Sequence, residues 1–240
     1  MKKTVTFRRI KRYSSGAELI DVEDPMVVEV GLDIFIDEQF YKKIYCSPIY
    51  IDELVIGSLA FDNMIDSVKD IAGMQIEDDR VHVSLLMAEQ ENLKSYSDSD
   101  VRIQVEAHTI ALLMKQHLDS SDIHKKTGGV HIMSLSDGQG LMVSREDIGR
   151  HNAVDKLYGY CLKNGVDCGS KIFLSSGRIS YEMIEKIWLM GIKIIVSRAT
   201  VTDLARKRAE DTGITLIGFA RGERFNIYSH PERIIINDRG

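Results

Sequence analysis

The chain has 240 residues, 44% hydrophobic and 28% charged, and its 31 basic against 36 acidic side chains leave a net charge of −5. That balance describes a folded globular protein of one sizeable domain or two small ones. It excludes disorder, a fibrous repeat and a uniformly basic surface for nucleic acid or an acidic membrane, so any anion site is local.

Three cysteines cannot form a paired disulfide framework, and Met1-Lys2-Lys3-Thr4 has no apolar stretch behind its lysines. The sequence therefore reads as lacking a signal peptide and a membrane span, and the expectation is a reducing cytoplasm.

In chain order, residues 1–93 read as a strand-rich N-terminal part. Met26 to Val30, Asp33 to Ile36 and Val81 to Met87 have strand character, and Asp52 to Ile65 carries Leu54, Val55, Leu59 and Ala60 at near-helical spacing. The polar stretch at 94–100 reads as a surface loop, and 101–240 as an α/β domain. Glu106 to Leu118 is expected to be a helix. His131 to Leu135 and Leu141 to Ser144 flank a turn-rich segment and read as a hairpin. Val154, Leu157, Tyr158, Cys161 and Leu162 form an amphipathic stripe ended by Asn164-Gly165. A strand at Lys171 to Leu174, a helix capped by Ser180, a strand at Ile192 to Val196, a helix capped by Thr202 and a strand at Ile214 to Phe219 follow, with Phe225 to Tyr228 pairing nearby. Such alternation predicts a sheet with helices on its faces and parallel neighbouring strands.

The densest polar cluster, Ser144 to Lys156, falls where a strand passes into a helix. Free backbone N–H groups and the positive dipole end there suit phosphate, with Arg150 and His151 as added donors; a capped helix start with solvated ion pairs is the plainer account. Gly128-Gly129, before His131, permits close backbone approach to a ligand, or simply a turn. Arg178 and Arg198 recur just after successive strands and are expected to share the carboxyl rim of the sheet. Phe219-Ala220-Arg221-Gly222-Glu223-Arg224 offers two guanidinium forks for phosphate and a ring for a planar base, or a charged turn. No zinc-ligand spacing is present, and no metal is expected. Among the thiols Cys161 lies on the apolar stripe, Cys168 in a loop where it is expected to be accessible, and Cys46 near a helix start.

Taken together, Thr127 to His131, Glu146 to Lys156, Ser175 to Met183 and Gly218-Phe219 to His230-Pro231 resemble, in order and spacing, the FdhD family of formate dehydrogenase accessory proteins. The resemblance implies a cytidine-deaminase-like layered α/β core, a homodimer, and a cytoplasmic role in maturing molybdenum or tungsten formate dehydrogenase. It also implies two partners, a cysteine desulfurase and the apo-dehydrogenase, with sulfur passing to a bis-guanine-dinucleotide molybdenum (or tungsten) cofactor. The family's cofactor segment falls on Phe219 to Arg224. The family's Cys-x-x-Cys has no counterpart here, because Asn92 to Asp100 contains no cysteine.

Three functions follow from this reading. The first is a sulfurtransferase working through Cys46 or Cys168. The second is a chaperone that binds the cofactor without touching its sulfur. The third is nucleotide hydrolysis or deamination using Glu146, Asp147 and His151 as acid/base groups.

Overall fold

The computed structural model describes residues 3–16, 18–86 and 103–236. The chain opens with β1 (Val5–Arg12) and β2 (Ile20–Val27), an antiparallel ribbon braced by Lys11–Asp21 at 2.9 Å and Arg12–Asp24 at 2.6 Å. Pro25 lies inside β2, tolerated because among the described residues β2 pairs with β1 alone and is an edge strand. Next come β3 (Val30–Ile36) and β4 (Gln39–Cys46). Asp37 and Glu38 join them with φ of 47° and 65°, the two positive values a tight hairpin turn needs. After α1 (Ile51–Phe61), β5 (Ile71–Glu77) and β6 (Arg80–Leu85) complete a four-stranded sheet of order β4-β3-β6-β5.

The second part contributes β7 (Val105–Glu106), α2 (Ala107–Asp119), α3 (Asp122–Thr127), β8 (His131–Ser136), β9 (Leu141–Asp147) and α4 (Arg150–Asn164). It continues with β10 (Ile172–Ser175), α5 (Tyr181–Leu189), β11 (Ile194–Ser197), α6 (Asp203–Asp211), β12 (Thr215–Arg221), β13 (Arg224–Ser229) and β14 (Ile234–Ile235). The main sheet has the order β13-β12-β11-β10-β8-β9. In it β10, β11 and β12 are parallel, as the strand–helix alternation predicts, and β8, β9 and β13 join antiparallel.

Alternation along each strand sends successive side chains to opposite layers. Ile172, Leu174, Ile194, Val196 and Ile217 face α2, whereas Phe173, Ile195 and Leu216 face the core that also holds α4, α5 and α6. The latter core is shared with the N-terminal part, since Leu32, Ile34, Leu54 and Leu59 belong to it. At the α1–α4 crossing the backbones nearly touch: a Cβ on Gly57 would lie 1.9 Å from the Asp155 carbonyl oxygen, and one on Gly159 1.9 Å from that of Glu53. Only glycine permits such an approach. Wedged between α1 and the sheet, α4 is buried through most of its length.

Several elements differ from the sequence reading. The α1 helix stops at Phe61 rather than Ile65, and β1, β4, β5 and α3 were not anticipated. Met87 and the 94–100 loop lie outside the described residues. Cys168, expected to be accessible in its loop, is buried, because the loop folds back under the end of α4 with Val166 N–H donating to the Cys161 carbonyl. Cys46 is fully buried at the end of β4.

Candidate functional site

The parallel strands β10, β11 and β12 deliver their carboxyl ends, Ser175, Ser197 and Arg221, to one edge of the sheet. The antiparallel neighbours complete it: β9 runs out at Asp147 and β8 begins at His131 on the same edge, since His131 pairs with Asp147 and Ser175 with Met133. Five of the predicted arginines therefore occupy a common rim. Arg150 starts α4, Arg178 and Arg198 follow β10 and β11, and Arg221 and Arg224 flank the β12–β13 turn at Gly222, whose φ is 58°. At ~4.8 Å per strand, the four steps from β9 to β12 span about 19 Å.

Hydroxyls knit the loops of this rim together. Ser175 and Ser197 both donate through Oγ to the Gly177 carbonyl, at 3.0 and 2.8 Å. Arg198 N–H reaches back to the Ser175 carbonyl at 2.9 Å, and Phe219 N–H to that of Ala199 at 2.9 Å. A bulge in β12 between Gly218 and Arg221 turns Phe219 outward with φ 52°, a conformation costly for a bulky residue, and the Arg221 guanidinium lies 5.8 Å from its ring centre. His131 packs on Gly177, where a Cβ would lie 2.8 Å from its Nδ1.

At the α4 and α5 ends of the rim, donors are left over. Arg150 Nε and Ser180 Oγ are buried yet have no hydrogen-bond partner among the described residues. Ser180 occupies the predicted N-cap of α5 without making the capping bond, whereas Thr202 does cap α6, accepting from Ala205 N–H at 3.2 Å. His151 Nε2 lies 3.4 Å from Glu182. Burial, and then the Arg150 guanidinium, hold both His131 and His151 below the usual imidazole range. Both are thus neutral at neutral pH, and the fixed cations of the rim are its arginines. An acidic chain therefore carries an electropositive strip suited to anions.

Other predicted residues have different surroundings. Gly128 ends α3 in the left-handed conformation, φ 62°, and Gly129 makes room for Val27 of the ribbon, whose Cγ1 a Cβ would meet at 2.8 Å. The pair thus serves a helix stop and a ribbon contact. A cleft of about 510 Å³ opens beside them, lined by Thr6, Arg8, Met26, Val27, Val30 and Pro48. Glu146 and Asp147 point to opposite faces of β9. Glu146 accepts from Ser121 and is pushed up by burial, while Asp147 is fully buried against Lys156. With its two carboxylates separated and one of them neutralised, the acid/base set of the hydrolytic reading is not assembled. The ion pair of the plainer account exists, but it is buried rather than solvated.

Sequence reasoning missed Lys156 and Ser47 at this junction. The signal was present: Lys156 sits among Ala153, Val154, Leu157 and Tyr158, and a lysine on an apolar helical stripe requires a buried partner.

The fold and rim define an open α/β protein with an arginine-lined edge at its strand ends, the edge where such sheets collect ligands. The chain belongs to the FdhD/NarQ family, whose model matches residues 86–235. It is similar to the sulfur carrier protein FdhD of Bacillus subtilis, 37% identical over 97% of this chain and 98% of that one. The protein of the same description from Staphylococcus haemolyticus is 37% identical over 94% and 95%. Its fold matches a crystal structure assigned as a formate dehydrogenase accessory protein from Desulfotalea psychrophila, with TM-score 0.84, 24% identity, and coverage of 97% of this chain and 100% of that one.

Proposed function

We infer that this chain is a formate dehydrogenase accessory protein that holds the bis-guanine-dinucleotide molybdenum or tungsten cofactor on its arginine rim and delivers it to the apo-enzyme. The observation that carries the reading is the rim itself. Arg150, Arg178, Arg198, Arg221 and Arg224 follow one sheet edge about 19 Å long, with the unpartnered Arg150 Nε and Ser180 Oγ at one end and the outward ring of Phe219 towards the other. Guanidinium forks suit the pyrophosphate, and the ring suits guanine. A cytoplasmic homodimer working beside a cysteine desulfurase accords with the family.

The geometry favours a chaperone over a sulfur relay through this chain's own thiols. Cys46, Cys161 and Cys168 are all buried. Moreover, Cys168 precedes β10 and so lies at the opposite edge of the sheet from the rim. Hydrogen bonding to Cys168, and then burial, push the Cys161 thiol well above the usual range, which keeps it protonated. The name borne by the relatives, sulfur carrier protein, favours the other reading, sulfur transfer.

Two measurements separate these readings. Titration of the protein with GDP should show binding that weakens with salt and falls at least tenfold in Arg221→Ala and Arg224→Ala; unchanged affinity in both refutes the rim. Persulfide trapping after incubation with a desulfurase should leave the chain unlabelled. Label that disappears in Cys46→Ser or Cys168→Ser establishes the sulfur relay instead.

A further inference from the structure

The motif from Glu146 to Lys156 contains an arrangement that anion binding alone does not account for. Lys156 and Asp147 are both completely buried, with Nζ 2.5 Å from Asp147 Oδ2. The ammonium also donates to the carbonyls of Ser47 at 3.1 Å and Glu146 at 3.4 Å. Each oxygen of the carboxylate is used twice. Oδ2 accepts from Lys156 and from Ser47 N–H at 3.0 Å, and Oδ1 from Gly149 N–H at 2.9 Å and Asn152 Nδ2 at 3.0 Å. Asn152 Nδ2 donates in addition to the Tyr45 carbonyl at 2.8 Å, and Ile148 N–H to Ser47 Oγ at 3.2 Å. These bonds clamp the end of β4 onto the turn between β9 and α4.

A buried ion pair is a poor source of stability, because well-packed apolar residues of similar volume often do as well or better. What this pair supplies is geometry. Asp147 satisfies the Gly149 amide at the start of α4, and the next two residues are Arg150 and His151. Among the described residues the Arg150 side chain forms no ion pair with a carboxylate and its buried Nε has no partner, so its aim depends on the turn that carries it.

We propose that Lys156 is a positioning residue for the rim, its buried ammonium fixing the Asp147–Gly149 turn so that Arg150 and His151 face the anion. It touches no ligand and acts through Asp147. This deepens the cofactor-binding reading and rests on it for the ligand.

The test uses the full chain with GDP as probe, below the melting temperature of every variant. Lys156→Met should weaken GDP binding at least tenfold. Leu157→Ala, one residue on and equally buried, should keep affinity within twofold although it also loses stability. Ser47→Ala, a milder change that frees the turn from the other side, should weaken binding about threefold and carries the test if Lys156→Met does not fold. NMR titration of His131 and His151 gives a readout that needs no ligand. Both midpoints should shift in Lys156→Met and Ser47→Ala and stay in place in Leu157→Ala. Unchanged midpoints in the two turn variants, or equal losses in all three, overturn the positioning role. Failure of the wild-type chain to bind GDP removes the cofactor reading, and the histidine titrations still decide Lys156.

Discussion

The contact between α1 and α4 gives the sharpest structural test, because two opposing rules predict opposite signs for Gly57→Ala. Helix propensity alone favours alanine by about 1 kcal/mol in a helix interior. The crossing disfavours it. A Cβ there would sit 1.9 Å from the Asp155 carbonyl oxygen and 2.6 Å from its carbon, both backbone atoms that no rotamer can move aside. Restoring an ordinary contact of about 3.4 Å requires the helices to part by about 1.5 Å, and overpacking of this kind costs ~3 kcal/mol or more. The separation also forfeits dispersion contacts along the whole α1–α4 interface. The net expectation is a loss of about 2–3 kcal/mol, or roughly 5–10 °C in Tm for a chain of this size. Thermal unfolding followed by circular dichroism measures it directly. A melting temperature equal to or above that of the wild type would show that the helices are not in backbone contact and would remove the reason for glycine at both positions.

Three further outcomes follow from the same structure. His117 is buried with Nδ1 2.7 Å from Ser134 Oγ, and burial first, then the charge of His124, lower its pKa to about 3. Its contribution to stability is complete above the unfolded value near 6.5 and is lost as pH falls, at up to ~1.4 kcal/mol per pH unit, so His117→Asn should flatten urea stability between pH 6.5 and 4. An unchanged slope would contradict this. Arg145 forms a buried ion pair with Glu53 between the rings of Tyr50 and Tyr160; Arg145→Gln leaves that carboxylate alone in the core and should cost about 3 kcal/mol, with Glu53→Gln added on top recovering most of it. A double variant no more stable than the single one argues against the pair. Phe219→Gly relieves the positive φ and should hold or raise stability by about 1 kcal/mol while weakening GDP binding about tenfold through lost stacking. Equal affinity would detach the ring from the ligand.

The second half was legible because its helices carry one apolar stripe each and its central strands are short, continuously apolar runs. The β8–β9 hairpin, the stripe on α4 and the succession from β10 to β12 were readable from periodicity, and with them the shared rim of Arg178, Arg198 and Arg221, since parallel strands end on the same edge. The ribbon and β4 were harder. Their side chains are largely exposed on both faces, so no clean alternation survives, and their register is set by turns such as Asp37-Glu38. The short α3 is fixed by its Ser121 cap and Gly128 stop rather than by any stripe. In the candidate site, arginines and glycines were visible as residue types. The buried state of Asp147 and Lys156 was not, because it depends on Ser47, a hundred positions away. Cys168 was misjudged for a related reason: loop residues are polar on average, but this loop packs its thiol beneath a helix end.

The bond from Ser47 to Asp147 also ties the closing of this turn to the completion of the chain. Its two ends are 100 residues apart in the chain, so a ribosome must extrude both before the turn can close, and no local helix or hairpin substitutes for it. Contacts of such sequence separation form late and raise the relative contact order, which slows folding. A nascent or clipped chain holding only the stretch from 86 to 235 would thus carry the arginines without the brace that aims them. The brace on this turn is thereby reserved for a chain that contains both halves.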